Sequence, residues 1–286
     1  MRVTDRSEQP EVTGQEPFMP AWSVSEGKSG EGPRPAALLE PAVNDSGVLD
    51  AGHGGHLRIS SAWRERLAMP PDGDPVLVEQ FRRLAATLHQ AHQAQGLRSV
   101  MVTSASPGDG KTLTAINLAL VLAESYRYRV LLVDADLRRP SIANVVDLAE
   151  GTGLSEALRA ATPQKLALAQ LTPRLTLLPA GGPTMNSIEA LISPRMRQIL
   201  DEAMAKFDWV VLDAPPVGPT ADARLISQLA GGTLFVIRAG KSQHPEVAQA
   251  IDVVGRDQIL GVVLNDVESK PGEAYYYVTG TPVRKG

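Results

Sequence analysis

The chain has 286 residues, 43% of them hydrophobic, carries a formal net charge of −4 and contains no cysteine. That length buries a substantial core and fits one large domain with a tail, while the charge gives no general attraction to nucleic acid or anionic lipid and the lack of cysteine excludes disulfides and Cys-ligated metals. The N-terminus MRVTDRSEQPEVTGQ has no apolar signal core and no window reaches the roughly 18 unbroken apolar residues of a membrane span, so a cytoplasmic protein is expected.

Residues 1–57 mix Pro, Gly, Ser and Glu without sustained periodicity and read as a disordered arm, since such a composition buries too little apolar surface to offset chain ordering. Residues 58–73 read as a linker or short docked element. From Asp74 the pattern changes. The run DPVLVEQFRRLAATLHQAHQ places Val78, Phe81, Leu84, Ala85 and Leu88 at helical spacing, with Asp74 as N-cap and Pro75 at the first position. His89 and His92 form an i,i+3 pair on this helix, but no nearby third ligand points to a metal.

Short apolar runs then alternate with helical segments: Ser99 to Thr103, Val130 to Val133, Val210 to Leu212, Leu234 to Ile237 and Ile259 to Leu264, with RLTLLPAG as a sixth candidate. Runs without alternation are what strands buried on both faces look like, and βαβ repetition implies a doubly wound, mostly parallel α/β sheet. The folded domain is expected over 74–268, followed by a mobile tail over 269–286.

Between the first strand run and the helix after it lies ASPGDGKT, which fits [AG]-x4-G-K-[ST]. In a strand-loop-helix context this is a phosphate cradle. Its residues Ser106, Pro107, Gly108, Asp109, Gly110, Lys111 and Thr112, with Leu113 on the first helical turn, are the candidate nucleotide contacts. Gly108 and Gly110 let backbone N–H groups turn inward around phosphate oxygens, Lys111 reaches the β/γ oxygens, and Thr112 can ligate Mg²⁺. Two further strand runs end in acids: LLVDADLRRP with Asp134 and Asp136, and VVLDAPP with Asp213. Carboxylates at the C-terminal ends of parallel strands face the ligand crevice, and alternation points Asp134 and Asp136 the same way.

These motifs, with the helix opening EQFRRL and the terminal cluster YYY, resemble the bacterial tyrosine kinases of capsule and exopolysaccharide export, called BY-kinases, in their stand-alone cytoplasmic form. The likeness runs from about Asp74 to Tyr277. It implies a P-loop NTPase fold of the ParA/MinD-like branch that transfers the γ-phosphoryl group of ATP to tyrosines in a neighbouring copy's tail. ParA/MinD-like ATPases carry a second lysine five residues before the invariant one; Ser106 stands there, which favours the kinase branch over a switch ATPase. A nucleotide-binding regulator with weak transfer is a further alternative.

On this resemblance Lys111 and the loop amides offset charge on the transferring group, and Mg²⁺ is held by Thr112 with Asp134 and Asp213. Asp136 either accepts the tyrosine proton or acts as a metal partner at one remove. Arg138 either steadies the phosphates or serves structure, and Asn265 either approaches adenine or caps a turn. Tyr275, Tyr276 and Tyr277, three of only five tyrosines, are the expected phosphoacceptors. The family's Glu-x-x-Arg-x-x-Arg element, used there to build a ring, is present as Glu79 and Arg82 but has Ala85 in the last place. The implied partner is a membrane chain-length-determining protein that recruits and activates the kinase.

Overall fold

The computed structural model describes residues 59, 63–68, 74–148, 151–162, 165–218 and 220–267. The arm expected over 1–57, the tail over 269–286 and its Tyr275, Tyr276 and Tyr277 lie outside the described residues.

Helix α1 (Pro75–Gln95) starts where the sequence places it: the Asp74 side chain accepts a hydrogen bond from the Val76 N–H at 2.9 Å, and the helix ends at Gly96. Val78, Ala85 and Leu88 are buried, with Phe81 and Leu84 packed at the core's margin. His89 and His92 turn inward rather than to solvent. The His89 Nδ1 meets the Tyr128 hydroxyl at 2.6 Å and the His92 Nδ1 meets the Leu97 carbonyl at 2.7 Å.

The strands follow as β1 (Ser99–Ser104), β2 (Val130–Asp134), β3 (Ala169–Gln170), β4 (Leu175–Leu178), β5 (Trp209–Asp213), β6 (Thr233–Arg238) and β7 (Ile259–Asn265). They form one sheet in the order β3-β4-β2-β5-β1-β6-β7. All neighbours are parallel except β3, which pairs antiparallel with β4. The five predicted strands and the sixth candidate are present; β3, only two residues long, carries no sequence signal.

The strands of the sheet centre read as unbroken apolar runs because both faces are covered. Val100, Val102, Val130, Leu132, Val211 and Val236 enter one core with α1, α2 (Lys111–Glu124) and α3 (Ile142–Val145). Met101, Leu131, Val133, Val210, Leu212 and Phe235 enter the other. That second face is covered by α4 (Leu154–Arg159), α5 (Ser187–Ile192), α6 (Pro194–Lys206), α7 (Asp222–Ser227) and α8 (His244–Val254). Alternate residues of one strand thus face opposite cores, as the period of two requires. Helix α2, buried on nearly all sides, lies between α1 and the sheet.

A short 3₁₀ turn (Arg64–Arg66) leads Leu67 and Ala68 into the α1/α2 core, both fully buried. The buried Asn117 of α2 fixes this segment: its Oδ1 accepts from the Ala68 N–H at 2.7 Å and its Nδ2 donates to the Arg66 carbonyl at 2.9 Å.

Strand β1 leads to β2 on one side of the sheet, and β5 leads to β6 on the other. The carboxyl ends of β1, β2 and β5 therefore flank a reversal of winding, where α/β sheets open a crevice for ligands.

Candidate functional site

The site is built on those three strand ends. From β1 the chain enters the loop 105–110 and then α2, whose first residue is Lys111. Gly108 and Gly110 have φ of 86° and 101°, so the tight turn uses backbone that side-chain-bearing residues rarely adopt. At Gly110 space is lacking too: a Cβ there would lie 2.0 Å from Asn265 Nδ2.

Lys111 folds back over the acids. Its Nζ lies 3.2 Å from Asp136 Oδ2, 3.7 Å from Asp213 Oδ1 and 3.5 Å from Thr112 Oγ1. Burial works against the ammonium charge, but Asp213, Asp136 and Asp134 outweigh it and hold the group above its ordinary pKa. The Thr112 hydroxyl meets Ser141 Oγ at 2.9 Å.

The three acids have different surroundings. Asp134, at the end of β2, accepts on Oδ1 from the Asp136 N–H at 3.3 Å, and on Oδ2 from the N–H groups of Ser141 and Ile142, each at 3.1 Å. It therefore caps the start of α3 and shapes the loop that carries Asp136. Asp136 accepts on Oδ1 from the Arg139 N–H at 3.0 Å and on Oδ2 from Lys111. Asp213 is fully buried, and neither of its oxygens has a hydrogen-bond donor in place. Burial, then the charge of Asp213 and, less, of Asp136, push Asp134 up to about 7 in spite of its backbone donors. Burial pushes Asp213 up to about 6, with the Lys111 charge pulling the other way.

With the Lys111 ammonium 3.7 Å away and no hydrogen-bond donor on either oxygen, the buried Asp213 carboxylate is under-satisfied and open to a further cationic partner. Among the described residues no three His, Cys, Asp or Glu side chains converge to cage a metal. The arrangement fits a magnesium ion that arrives with phosphates: such an ion takes one or two carboxylates and completes its shell with phosphate and water oxygens. Asp213 and the Thr112 hydroxyl would be the groups to hold it.

Other expected residues fall as follows. Arg138 turns to the buried Asp222 at the start of α7, Nε to Oδ2 at 2.9 Å. Asn265, at the end of β7, donates from Nδ2 to the Asp109 carbonyl at 2.9 Å. Asp109, buried, accepts from the Ser106 N–H at 3.0 Å and the Ser242 hydroxyl at 2.9 Å. The Ser106 hydroxyl donates to Glu246 at 3.2 Å. Ser141, Asp222, Arg238, Ser242 and Glu246 were not foreseen. Ser141 directly follows the LLVDADLRRP segment, whereas the other four lie far along the chain from the motifs they support; none has a local pattern that marks it.

Residues 100–278 match the CbiA family, described as the CobQ/CobB/MinD/ParA nucleotide binding domain. The tyrosine-protein kinase YwqD of Bacillus subtilis is 35% identical over 205 residues, covering 70% of this chain and 86% of YwqD. The chain belongs to the bacterial tyrosine-kinase family. A BY-kinase domain of known structure, that of Escherichia coli Etk, superposes with a TM-score of 0.60 at 30% identity, covering 68% of this chain and 78% of that one. The succinoglycan biosynthesis transport protein ExoP of Rhizobium meliloti is 34% identical over 197 residues, covering 66% of this chain but only 25% of ExoP. The BY-kinase fold thus accounts for the sheet and for the loop at its centre.

Proposed function

We propose that this BY-kinase binds Mg-ATP in the 105–112 loop and transfers the γ-phosphoryl group to Tyr275, Tyr276 or Tyr277 of a neighbouring copy. The observation that carries the reading is the Lys111 ammonium, held at the mouth of a glycine loop between Asp136 and Asp213. As a family member the chain is a protein-tyrosine kinase.

Lys111 exchanges its contact with Asp136 for the phosphate oxygens and offsets the charge that develops on them. The loop amides and the N-terminus of α2 add donors on the same side. A magnesium ion bound with the phosphates would be held by Asp213 and Thr112 and would neutralise phosphate charge, while Asp134 holds the neighbouring loop in shape. Asp136, released from Lys111, accepts the phenol proton as the tyrosine oxygen bonds to the γ-phosphorus. The bond to the bridging oxygen breaks and ADP leaves with its electron pair.

The choice of acceptor rests on the other tyrosines. Tyr126 donates its hydroxyl to the Arg82 carbonyl at 3.1 Å and Tyr128 is engaged by His89, so both serve the fold. That leaves the run 275–277. Each phosphate adds about −1.5 to −2 charge, which favours release of the tail after transfer.

The setting is polysaccharide export at the cytoplasmic face of a membrane, with a chain-length-determining protein as partner; the name of ExoP, a succinoglycan biosynthesis transport protein, supports the export setting. Among the described residues no helix is long and apolar enough to cross a membrane. Assembly with further copies would use Glu79 and Arg82, which stand 3.9 Å apart on the surface of α1, whereas Ala85 is fully buried and adds nothing to that surface.

The test is incubation with labelled Mg-ATP, with and without a membrane partner, for the native chain, Lys111→Met and the triple Phe replacement of residues 275–277. Label on tyrosine that disappears in both variants supports the reading. Free phosphate without labelled protein refutes it in favour of a switch ATPase.

A further inference from the structure

Two carbonyls of the phosphate loop are held from outside. The Gly108 carbonyl accepts from Arg238 Nη1 at 3.4 Å, and the Asp109 carbonyl accepts from Asn265 Nδ2 at 2.9 Å. Both donors come from the carboxyl ends of adjacent strands, β6 and β7. In a planar trans peptide the C=O of one residue and the N–H of the next point in opposite directions. A donor that draws the Gly108 carbonyl outward therefore turns the Asp109 N–H inward, and the hold on the Asp109 carbonyl does the same for the Gly110 N–H. These are the amides that a phosphate cradle uses.

The rest of the loop is fixed in the same sense. The Asp109 carboxylate would repel a triphosphate if it faced the cradle. It is instead buried, held by the Ser106 N–H on one oxygen and the Ser242 hydroxyl on the other. Ser242 Oγ in turn accepts from the Arg238 N–H at 2.8 Å. The Arg238 guanidinium is itself anchored by Asp266, with Nη2 to Oδ2 at 2.7 Å. Glycine at 110 leaves the Asn265 amide its place, since a Cβ there would lie 2.0 Å from Nδ2.

We infer that Asn265 and Arg238 are positioning residues that orient the phosphate-binding amides of the loop, Asn265 acting through the Asp109 peptide and not through the nucleotide base. The inference rests on the nucleotide-binding reading of this site and deepens it. A residue that reads the base affects nucleotides according to their base. A residue that orients loop amides affects every ligand carrying the same phosphates, whether or not a base is attached.

The experiment is calorimetric titration of the full chain, native, Asn265→Ala and Arg238→Ala, with Mg-ADP, Mg-GDP and magnesium tripolyphosphate. Thermal melts confirm that each variant is folded; Arg238 is partly exposed, so its variant keeps the test open should Asn265→Ala not fold. For Asn265→Ala the expected result is a roughly tenfold loss of affinity, the size of one lost hydrogen bond, equal for every probe the native chain binds. Arg238→Ala shows a smaller loss with the same uniformity. Loss for ADP alone, with GDP or tripolyphosphate unaffected, assigns Asn265 to the base and overturns the inference. Unchanged affinities in both variants also overturn it. Failure of the native chain to bind any of the three probes overturns the nucleotide reading itself, and the inference with it.

Discussion

Lys111 Nζ and Asp136 Oδ2 stand 3.2 Å apart in a pair almost closed to solvent, the side chains 11% and 6% exposed. Phosphate oxygens compete for the same ammonium, so binding of the triphosphate and release of the Asp136 carboxylate are one event. On the proposed mechanism, replacing Asp136 by Asn removes the proton acceptor without removing the cradle. Affinity for Mg-ATP is expected to hold within about threefold while tyrosine labelling falls by roughly a hundredfold or more, the range of a lost general base. Parallel loss of binding and labelling would mark Asp136 as a metal partner instead.

Gly110 and Gly108 differ in a way that can be measured. Both need positive φ, but only Gly110 has a neighbour in the way. Gly108→Ala is expected to cost about 1–2 kcal/mol from backbone strain alone. Gly110→Ala adds displacement of the Asn265 amide, and with it a loss of nucleotide affinity of at least about tenfold. Thermal melts and nucleotide titration of the two variants check the contrast.

The acids make the stability of the nucleotide-free protein depend on pH. Asp134 and Asp213 titrate near 7 and near 6 in the folded state, against 3.8 when unperturbed. Between about pH 4 and pH 7 the folded state therefore binds more protons than the unfolded one. The contribution of these groups is fully present below pH 4 and is lost as pH rises through the folded values. Asp134→Asn removes one of them, so its melting temperature gains on that of the native chain as pH rises from 5 to 8. A gap that stays constant or moves the other way contradicts the assignment.

Arg138 offers a test of structure against chemistry. Its partner Asp222 is 1% exposed; Arg138 reaches Oδ2, and Oδ1 has no donor. Arg138→Ala leaves that carboxylate buried without its counter-charge and is expected to destabilise the fold by about 2–3 kcal/mol. Adding Asp222→Asn restores part of the loss, a coupling that a denaturation double-mutant cycle measures. If Arg138 served the phosphates alone, stability would not change.

The sequence carried the scaffold and the loop because both write local patterns: unbroken Val, Leu and Ile runs for strands covered on two faces, and a glycine spacing followed by Lys and Thr. It also carried the start of α1, where Asp74 and Pro75 form a cap that the structure reproduces. What it could not carry were partners fixed by sheet order. Arg238, Ser242 and Asn265 reach the loop only because β6 lies beside β1 and β7 beside β6. Asp134 shows a different limit. Its place at a strand end pointed to the ligand crevice, but not to the three backbone N–H groups that its oxygens also accept, which depend on how the chain turns after Asp136. Arg138 was open between phosphate and structure, and only the position of α7 supplies Asp222.

Transfer from one copy's loop to another copy's tail is tested most directly by a mixing experiment. Lys111→Met, with an intact tail and a disabled cradle, is combined with the chain whose residues 275–277 are all Phe, which has the reverse defect. Incubated separately with Mg-ATP, each is expected to give no phosphotyrosine; mixed, they are expected to label the Lys111→Met chain at Tyr275, Tyr276 or Tyr277. Absence of label in the mixture, under conditions where the native chain labels itself, would contradict transfer between copies.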